Sequence, residues 1–338
     1  MSDDASVRRP SIRDVARLAG VSHQTVSRVL NDHPSIRPET RERVQQVMAD
    51  LQYRPNRAAR ALVTSRSQTI GILAASSSMY GPASSIASIE AAARARGYWV
   101  STANIDSRDP QSIRAGIAHL TAQSVEGLVV IAPQVRVIRA ISAQKLDIPY
   151  VTLQSTDLDP DHTLTVDQIA GARMATKHLI NAGHRSIYHI AGPQDWIEAE
   201  ARMRGFLEEM SANDVPTTAP ILGDWSADFG YYAGRELLQV RDFTAVFCSN
   251  DQMALGFMHA VRDEGLDVPR DVSIVGFDDI PEAAHFWPPL TTIRQDFADL
   301  GRRCVDLLLG SEQSTERPAG AIAPQLIVRG STAPPNSW

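Results

Sequence analysis

Cysteine is nearly absent from this sequence of 338 residues, which contains only Cys248 and Cys304. Neither belongs to a Cys-x-x-Cys pair, and no histidine lies close to them at metal-ligand spacing. A disulfide framework and a structural zinc site are therefore not expected, and both thiols are predicted to be buried and reduced. Apolar runs of roughly eighteen residues are also missing, as is the apolar core of a signal peptide. We expect a cytoplasmic protein without a membrane span.

The sequence also lacks the motifs that many α/β enzymes share. It has no Gly-x-x-x-x-Gly-Lys phosphate loop, no Gly-x-Ser-x-Gly elbow and no Gly-x-Gly-x-x-Gly dinucleotide turn. These absences disfavour an enzyme, and no cofactor is expected. An α/β enzyme acting on sugars or nucleotides stays open as an alternative, because carboxylates and histidines lie near predicted strand ends.

The charge of the chain is distributed unevenly. The formal net charge is −6, but residues 1–66 contain 12 Arg and 7 acidic residues, which gives +5 there and leaves −11 for the rest. A basic head on an acidic body suits a chain whose head contacts nucleic-acid phosphates while its body is repelled by them. With 43% apolar residues and this length, two or three globular domains are expected.

Residues 11–30 have the pattern of two short helices joined by a tight turn at Gly20, which is the helix-turn-helix arrangement of DNA-binding proteins. Ser11 and Asp14 have capping-box spacing at the start of the first helix. A third helix opens at Pro38. Apolar residues at helical spacing are predicted to form a small core among the three helices. These residues are Val15, Leu18, Val26, Val29, Leu30, Val44, Val47, Met48, Leu51 and Tyr53.

Polar side chains cluster on the outer face of the second helix. Their donors and acceptors suit base edges and phosphates, although an ordinary solvated helix face is the alternative. Gln24 can pair with adenine and Arg28 with guanine, whereas His23 can contact either a base or a phosphate. The DNA-contacting residues predicted here are Ser22, which also caps the helix, His23, Gln24, Thr25, Ser27, Arg28 and Asn31.

From residue 69 onward, short apolar segments alternate with amphipathic ones, which predicts a parallel α/β architecture. A split near Asp161 gives two doubly wound subdomains, with ligands bound in the crevice beyond the strand ends. The domains are therefore a head over 1–54, a linker over 55–66 that becomes helical only against a partner, and a bilobal ligand-binding body over 67–338. Strands are predicted at 69–74, 98–102, 127–131, 150–153, 186–191, 245–248, 273–276 and 326–329.

Five segments together resemble the lactose and galactose repressor family of bacterial transcription regulators, and within it the lactose-repressor branch. The segments are residues 14–22, 223–227, 249–256, 276–279 and 289–296. The resemblance spans nearly the whole chain. It implies a small all-α helix-turn-helix head plus an α/β body of two doubly wound parallel-sheet subdomains, similar to periplasmic sugar-binding proteins.

The function that this resemblance implies is sequence-specific repression of carbohydrate-utilisation genes, relieved allosterically by a sugar. A ligand that acts as a corepressor is the alternative. Another alternative is a free-standing sugar-binding protein of a transporter, whose function would not need residues 1–66.

The resemblance also implies that residues 56–62 form a hinge helix. Leu62 is expected to wedge into the minor groove at the centre of a near-palindromic operator, although an ordinary linker residue is the alternative. Asn56 and Ala59 are the other hinge residues expected at the DNA. A two-fold operator implies a homodimer. The C-terminus has no Leu-rich heptads, so no tetramerisation helix is expected.

The same resemblance places a sugar effector between the two subdomains of the body. Trp225 is expected to lie against a sugar ring and Arg202 to hold hydroxyls, with a surface salt bridge as the alternative role for Arg202. Asn250, Asp278 and Gln295 offer amide and carboxylate groups, although Asp278 could instead cap a helix or turn.

Three positions in the expected pocket depart from the lactose-repressor branch. Gln154 stands where that branch has aspartate, and Ala75 and Ile131 stand where it has serine and asparagine. The loss of polar groups predicts a different hydroxyl pattern or aglycone. A β-galactoside is the first expectation for the effector, and other glycosides or oligosaccharides stay open.

Overall fold

The computed structural model describes residues 10–30, 33–53, 66–132, 134–143, 146–154, 162–310 and 321–336. The chain divides into two compact units, Met1–Ser67 and Gln68–Trp338, which we call the head and the body. Four of the predicted DNA-contacting residues lie outside the described residues, and their roles stay predictions. They are Asn31, Asn56, Ala59 and Leu62.

The described part of the head contains three helices, α1 (Ile12–Leu18), α2 (His23–Leu30) and α3 (Pro38–Asp50). The predicted capping box forms at the start of α1. The backbone N–H of Ser11 donates to the Asp14 carboxylate at 2.9 Å, and the N–H of Asp14 donates to Ser11 Oγ at 3.4 Å. These two bonds satisfy backbone donors that the first turn of a helix leaves free.

Small apolar side chains form the core of the head, and one predicted core residue does not belong to it. Val15, Ala16 and Ala19 face inward from α1, whereas Leu18 is 56% exposed. The reason is helical geometry. At about 100° per residue, the buried face is centred between Val15 and Ala16, and Leu18 lies about 110° from that centre, nearly a third of a turn. The predicted residues that are buried or pack on the core are Val15, Val26, Val29, Leu30, Val44, Val47, Met48, Leu51 and Tyr53.

The body begins with a parallel sheet whose strand order is β2-β1-β3-β4-β5. This is a doubly wound order, in which the chain reverses direction across the sheet next to β1. The strands are β1 (Thr69–Ala75), β2 (Trp99–Ile105), β3 (Gly127–Ile131), β4 (Tyr150–Leu153) and β5 (Thr163–Leu164). The helices that follow the first three are α4 (Tyr80–Ala95), α5 (Pro110–Ala122) and α6 (Val135–Ser142).

A second parallel sheet has the related order β7-β6-β8-β9. Its strands are β6 (Ile187–Ala191), β7 (Ile221–Leu222), β8 (Ala245–Cys248) and β9 (Ser273–Val275). The helices around it are α7 (Gln168–Asn181), α8 (Ile197–Ala212), α9 (Ala227–Val240) and α10 (Asp251–Asp263), followed by a 3-10 helix (Pro281–His285). Two doubly wound parallel-sheet subdomains are therefore present, as the sequence predicted.

The chain crosses between the subdomains not only near the predicted split at Asp161 but also further along the sequence. Helix α11 (Phe297–Leu309) returns to the first subdomain, where Leu300 and Cys304 are buried in the same core as β1 and β3. The chain then crosses back, and β11 (Gln325–Ile327) pairs antiparallel with β10 (Thr292–Arg294). The polypeptide thus passes between the subdomains three times. The predicted split near Asp161 lies close to where the first sheet ends, but the two later crossings were not predicted, because a buried helix face does not reveal from sequence which sheet it covers.

Helices α9 and α10 touch backbone to backbone in the second subdomain. A Cβ atom added at Gly256 of α10 would lie 1.8 Å from the carbonyl oxygen of Ala227, the first residue of α9. A Cβ at Gly230 of α9 would lie 2.1 Å from the carbonyl oxygen of Met253. The glycines allow this approach, because a residue with a Cβ atom would hold the two helices apart.

Both cysteines are buried and unpaired, and burial raises the pKa of each thiol. None of the helices in the described part of the chain is long and apolar enough to cross a membrane.

Replacing Gly256 by Ala is expected to destabilise the body, because the added methyl group meets backbone atoms that cannot move alone. We expect the free energy of unfolding to fall by about 1–3 kcal/mol, measured by urea titration. The control is Gly81→Ala in α4, where an added Cβ meets nothing within 4 Å. That change should be neutral or raise stability by up to about 1 kcal/mol. Equal effects of the two substitutions would contradict the close contact.

Candidate effector cavity and DNA-binding helix

Helix α2 presents polar side chains outward and buries its apolar face. Val26 and Val29 are buried in the core of the head. The N–H of Thr25 donates to Ser22 Oγ at 3.1 Å, so Ser22 caps the helix as predicted. The outer face carries no large apolar group that would have to be covered. Among the predicted DNA-contacting residues, Ser22, His23, Gln24 and Arg28 are exposed, and Thr25 and Ser27 are half-buried.

A cavity of about 270 Å³ lies between the two subdomains of the body. It is lined by residues that follow the carboxyl ends of strands in both sheets, where doubly wound folds bind ligands. The first sheet contributes Ile131 and Leu153, and the second contributes Asn250 after β8 and Asp278 after β9. This position agrees with the crevice expected from the strand pattern.

Most of the predicted effector residues meet at this cavity. Ala75 and Gln154 are buried, but they are not among its lining residues. The side-chain oxygen and nitrogen of Gln154 have no hydrogen-bond partner among the described residues. The predicted residues that line the cavity are Arg202, Trp225, Asn250, Asp278, Gln295 and Ile131.

Four polar side chains at the cavity wall form a closed ring of contacts. Arg202 Nε donates to Gln168 Oε1 at 2.9 Å, and Gln168 Nε2 donates to Gln295 Oε1 at 2.8 Å. Gln295 Nε2 donates to Asp278 Oδ1 at 2.7 Å, and this oxygen lies 3.3 Å from Arg202 Nη2. All four side chains are buried, so each contact replaces a lost contact with water. We call this set the Arg202 ring.

Arg202 is also held from its flat faces. Its guanidinium carbon lies 3.8 Å from the ring centroid of Phe277 and 5.6 Å from that of Trp225. Its Nη1 donates to the carbonyl oxygen of Ser249. With 5% of its surface exposed, Arg202 does not take part in a surface salt bridge, so that alternative is wrong. The side chain is fixed in one orientation before any ligand binds.

The carboxylate of Asp278 is buried. Burial raises its pKa above the usual range, although Arg202 and the hydrogen bond from Gln295 act in the opposite direction. Its backbone has a φ of 107°, which residues other than glycine rarely adopt. The neighbouring Asp279 instead bridges Arg294 and Arg329 at 2.6 Å each, which agrees with a structural role.

Asn250 connects helix α10 to Trp225. Its Oδ1 accepts from the N–H of Met253 at 2.9 Å and caps α10, while its Nδ2 donates to the carbonyl oxygen of Trp225 at 3.0 Å. Trp225 has a φ of 74°, and the hydrogen bond from Asn250 holds this unusual backbone in place. Asn250 therefore positions the aromatic wall of the cavity, and its predicted contact with a hydroxyl stays a prediction.

Trp225 forms that wall together with a second tryptophan. Its ring packs edge to face on Trp196, with centroids 5.6 Å apart. The close approach of Trp225 to the loop after β6 depends on Gly192, because a Cβ there would lie 2.2 Å from Trp225 Cη2. The indole Nε1 has no hydrogen-bond partner among the described residues. An apolar surface with a free donor at its edge suits a sugar ring.

Several residues of the cavity were not predicted from the sequence, and Glu198 matters most among them. Burial raises the pKa of Glu198 to about 7, while nearby Arg202 and a hydrogen bond from Trp196 act in the opposite direction. Glu198 stands four residues before Arg202 on α8, so helical spacing places both on one face. That spacing was the available signal. The other lining residues that were missed include Tyr80, Gln168, Trp196 and Gln252.

Comparisons with known proteins agree with the division of the chain into a head and a body. Residues 11–56 match the family described as bacterial regulatory proteins, lacI family, and residues 176–332 match a periplasmic binding protein-like domain. The chain is 35% identical over 330 residues to the lactose operon repressor of Escherichia coli (strain K12). The aligned region covers 97% of this chain and 92% of that protein. It is 34% identical over 348 residues to the transcriptional regulator CelR of Thermobifida fusca, covering 95% of this chain and 98% of that protein.

Solved structures show the same similarity. A lac repressor dimer bound to operator and the anti-inducer ONPF superposes with a TM-score of 0.86 at 34% identity, covering 96% of this chain and all of that one. A complex of the regulator CelR with cellobiose gives a TM-score of 0.70 at 30% identity, again over 96% of this chain and all of that one. With a DNA-binding head and a two-subdomain body that match these relatives over almost their full length, the chain belongs to the LacI family of bacterial transcription regulators.

Proposed function

We propose that this protein represses carbohydrate-utilisation genes and leaves its operator when an uncharged sugar fills the cavity of the body. The observation that carries this proposal is the cavity wall, in which a flat aromatic surface at Trp225 meets the fixed donors and acceptors of the Arg202 ring. Sugars present an apolar ring face and a rim of hydroxyls, and this pair of surfaces complements both. In this proposal the protein is a cytoplasmic regulator rather than an enzyme.

Electrostatics favours an uncharged effector over an anionic one. Among the described residues that line the cavity, Arg202 is the only Arg or Lys, and its charge is already opposed by Asp278 at 3.3 Å. Glu198 adds a further acidic group. A phosphate or carboxylate group of a ligand would lose its hydration in the cavity without gaining an unopposed cation. The penalty for burying such an unpaired ion is on the order of several kcal/mol.

A β-galactoside is the first candidate for the effector, and a β-glucoside such as cellobiose is the second. The relatives named above support both, because one is a lactose operon repressor and another has been solved with cellobiose. Ile131 replaces a polar group with an apolar one at the wall, which favours a ligand that has an apolar edge or aglycone there.

The working unit in this proposal is a homodimer on a near-palindromic operator, as in the solved lac repressor dimer on operator. Two heads contact two half-sites, and the linkers over 55–66 form hinge helices on the DNA. Ligand binding moves the first subdomain relative to the second and separates the hinges. Because coupling between sites is reciprocal, the operator must weaken sugar binding by the same factor.

Replacing Gln24 by Ala is expected to weaken specific operator binding by about 1–3 kcal/mol, roughly 5- to 150-fold, because a bidentate base contact is lost. The operator is first selected from a randomised duplex pool, and affinity is measured by fluorescence anisotropy at fixed salt. The control is Gln46→Ala in α3, whose amide donates to Asp50 at 2.9 Å on another helix of the head. Equal affinity of the Gln24 variant and the wild-type protein would contradict its role.

Lactose or cellobiose at saturation is expected to lower operator affinity by about 5- to 150-fold, the usual range of allosteric coupling. A sugar phosphate of the same size should have no effect. Trp225→Ala should abolish the response while operator affinity without sugar stays unchanged, and Tyr232→Ala, at an aromatic that is 67% exposed, should keep the response. Tighter operator binding with sugar would instead indicate a corepressor. No response to any uncharged glycoside would contradict the proposed effector class.

A further inference from the structure

Three polar atoms at the cavity wall have no hydrogen-bond partner among the described residues, although each is buried. They are Glu198 Oε2, Gln252 Oε1 and Trp225 Nε1. All three residues line the same cavity. Buried polar atoms in proteins are almost always paired, and unpaired ones call for an explanation. Here two acceptors and one donor belong to residues that line one cavity, and a bound molecule with the complementary groups would satisfy them.

We propose that Glu198 is a specificity-determining residue of this cavity, and that with Gln252 it accepts hydrogen bonds from hydroxyl groups of the effector. The inference rests on the proposed function, since it names which groups of an uncharged sugar are recognised and by which side chains. In this proposal, the side of the ligand that faces Glu198 and Gln252 is rich in hydroxyl donors.

The arrangement around Glu198 explains why a ligand is needed to complete it. One side of the carboxyl group interacts with the Trp196 side chain, and Oε2 is left free. Arg202 lies four residues further along the same helix, but three of its N–H donors are directed to Gln168, to Asp278 and to the carbonyl oxygen of Ser249. No residue in the described part of the chain donates a hydrogen bond to Oε2. A deoxy sugar at this position would leave the acceptor unpaired.

Proton linkage follows from this contact. Burial raises the pKa of Glu198 to about 7 in the empty cavity, so the carboxyl group is partly protonated near neutral pH. Hydroxyl groups that donate to its oxygen stabilise the ionised form and lower the pKa in the complex. Ligand binding then releases a proton, and affinity for the sugar rises with pH up to about the pKa of the empty protein.

Other titratable groups around the cavity do not account for the same behaviour. Arg202 on α8, Tyr80 on α4 and Asp278 after β9 line it, and Asp251 lies behind Asp278. Burial raises the pKa of Asp278 and of Asp251. Each carboxylate already accepts hydrogen bonds from the protein. Gln295 donates to Asp278, and Ile280 and Thr292 donate to Asp251. All four groups remain in a Glu198 variant, so a pH dependence that comes from them would persist there.

The test compares the wild-type protein with Glu198→Gln and with Glu200→Gln as the matched control. Glu200 lies on the same helix, and its side chain is exposed. Quenching of tryptophan fluorescence by lactose and by cellobiose is titrated between about pH 5.5 and about pH 8.5, a range that brackets the Glu198 titration. In the wild-type protein, affinity should rise about tenfold for each unit by which the ligand lowers the pKa. Glu200→Gln should show the same rise, and Glu198→Gln should show none.

A second measurement needs no variant. Calorimetry of sugar binding to the wild-type protein near pH 7, in buffers that differ in ionisation enthalpy, should detect the release of a fraction of a proton. Sugar binding without proton release and without pH dependence would contradict the role of Glu198 but leave the proposed function standing. A pH dependence that persists in Glu198→Gln would also contradict it. If neither sugar nor any other uncharged glycoside binds, the proposed function fails, and this inference fails with it.

Discussion

The buried contact between Arg202 and Asp278 is the interaction on which the site depends. A guanidinium group and a carboxylate that are both removed from water persist only when their remaining donors and acceptors are satisfied. Gln168 and Gln295 provide this by linking the two charged groups through a chain of amide hydrogen bonds. The ring draws residues from α7, α8, the loop after β9 and the segment after β10 into one rigid surface. The cavity is thereby organised before a ligand arrives, which lowers the cost of binding.

The same surface divides the polar groups of the cavity into two sets. Groups of the Arg202 ring are satisfied by one another, whereas Glu198, Gln252 and Trp225 each retain one unpaired atom. The first set gives the wall its shape, and the second set is what remains for a ligand. The crossings of the chain between the two subdomains, including the return of α11 to the first sheet, place this wall against Ile131 and Leu153 of the other subdomain. A molecule in the cavity contacts both subdomains and can change how they close.

Local sequence signals were sufficient for the head and for most strands, but not for the composition of the cavity. Ser11 and Asp14 encode a cap within one turn, and the parallel strands are short apolar runs, so both can be recognised without tertiary information. The short edge strand Thr163–Leu164 and the pairing of β10 with β11 depend on distant segments, and they were missed. Leu18 was placed in the core because periodicity marks a face but does not show which neighbours cover it. Gln168 was missed because its partners lie 34 and 127 residues away in sequence.

The central claim is that the cavity and the DNA-binding helix belong to one coupled system. The most direct measurement is the affinity of an uncharged glycoside, followed through tryptophan fluorescence, in the presence and absence of saturating operator DNA. The account predicts that operator weakens sugar binding by the same factor by which the sugar weakens operator binding, since the two effects are one coupling free energy. Identical sugar affinities with and without operator would contradict the account.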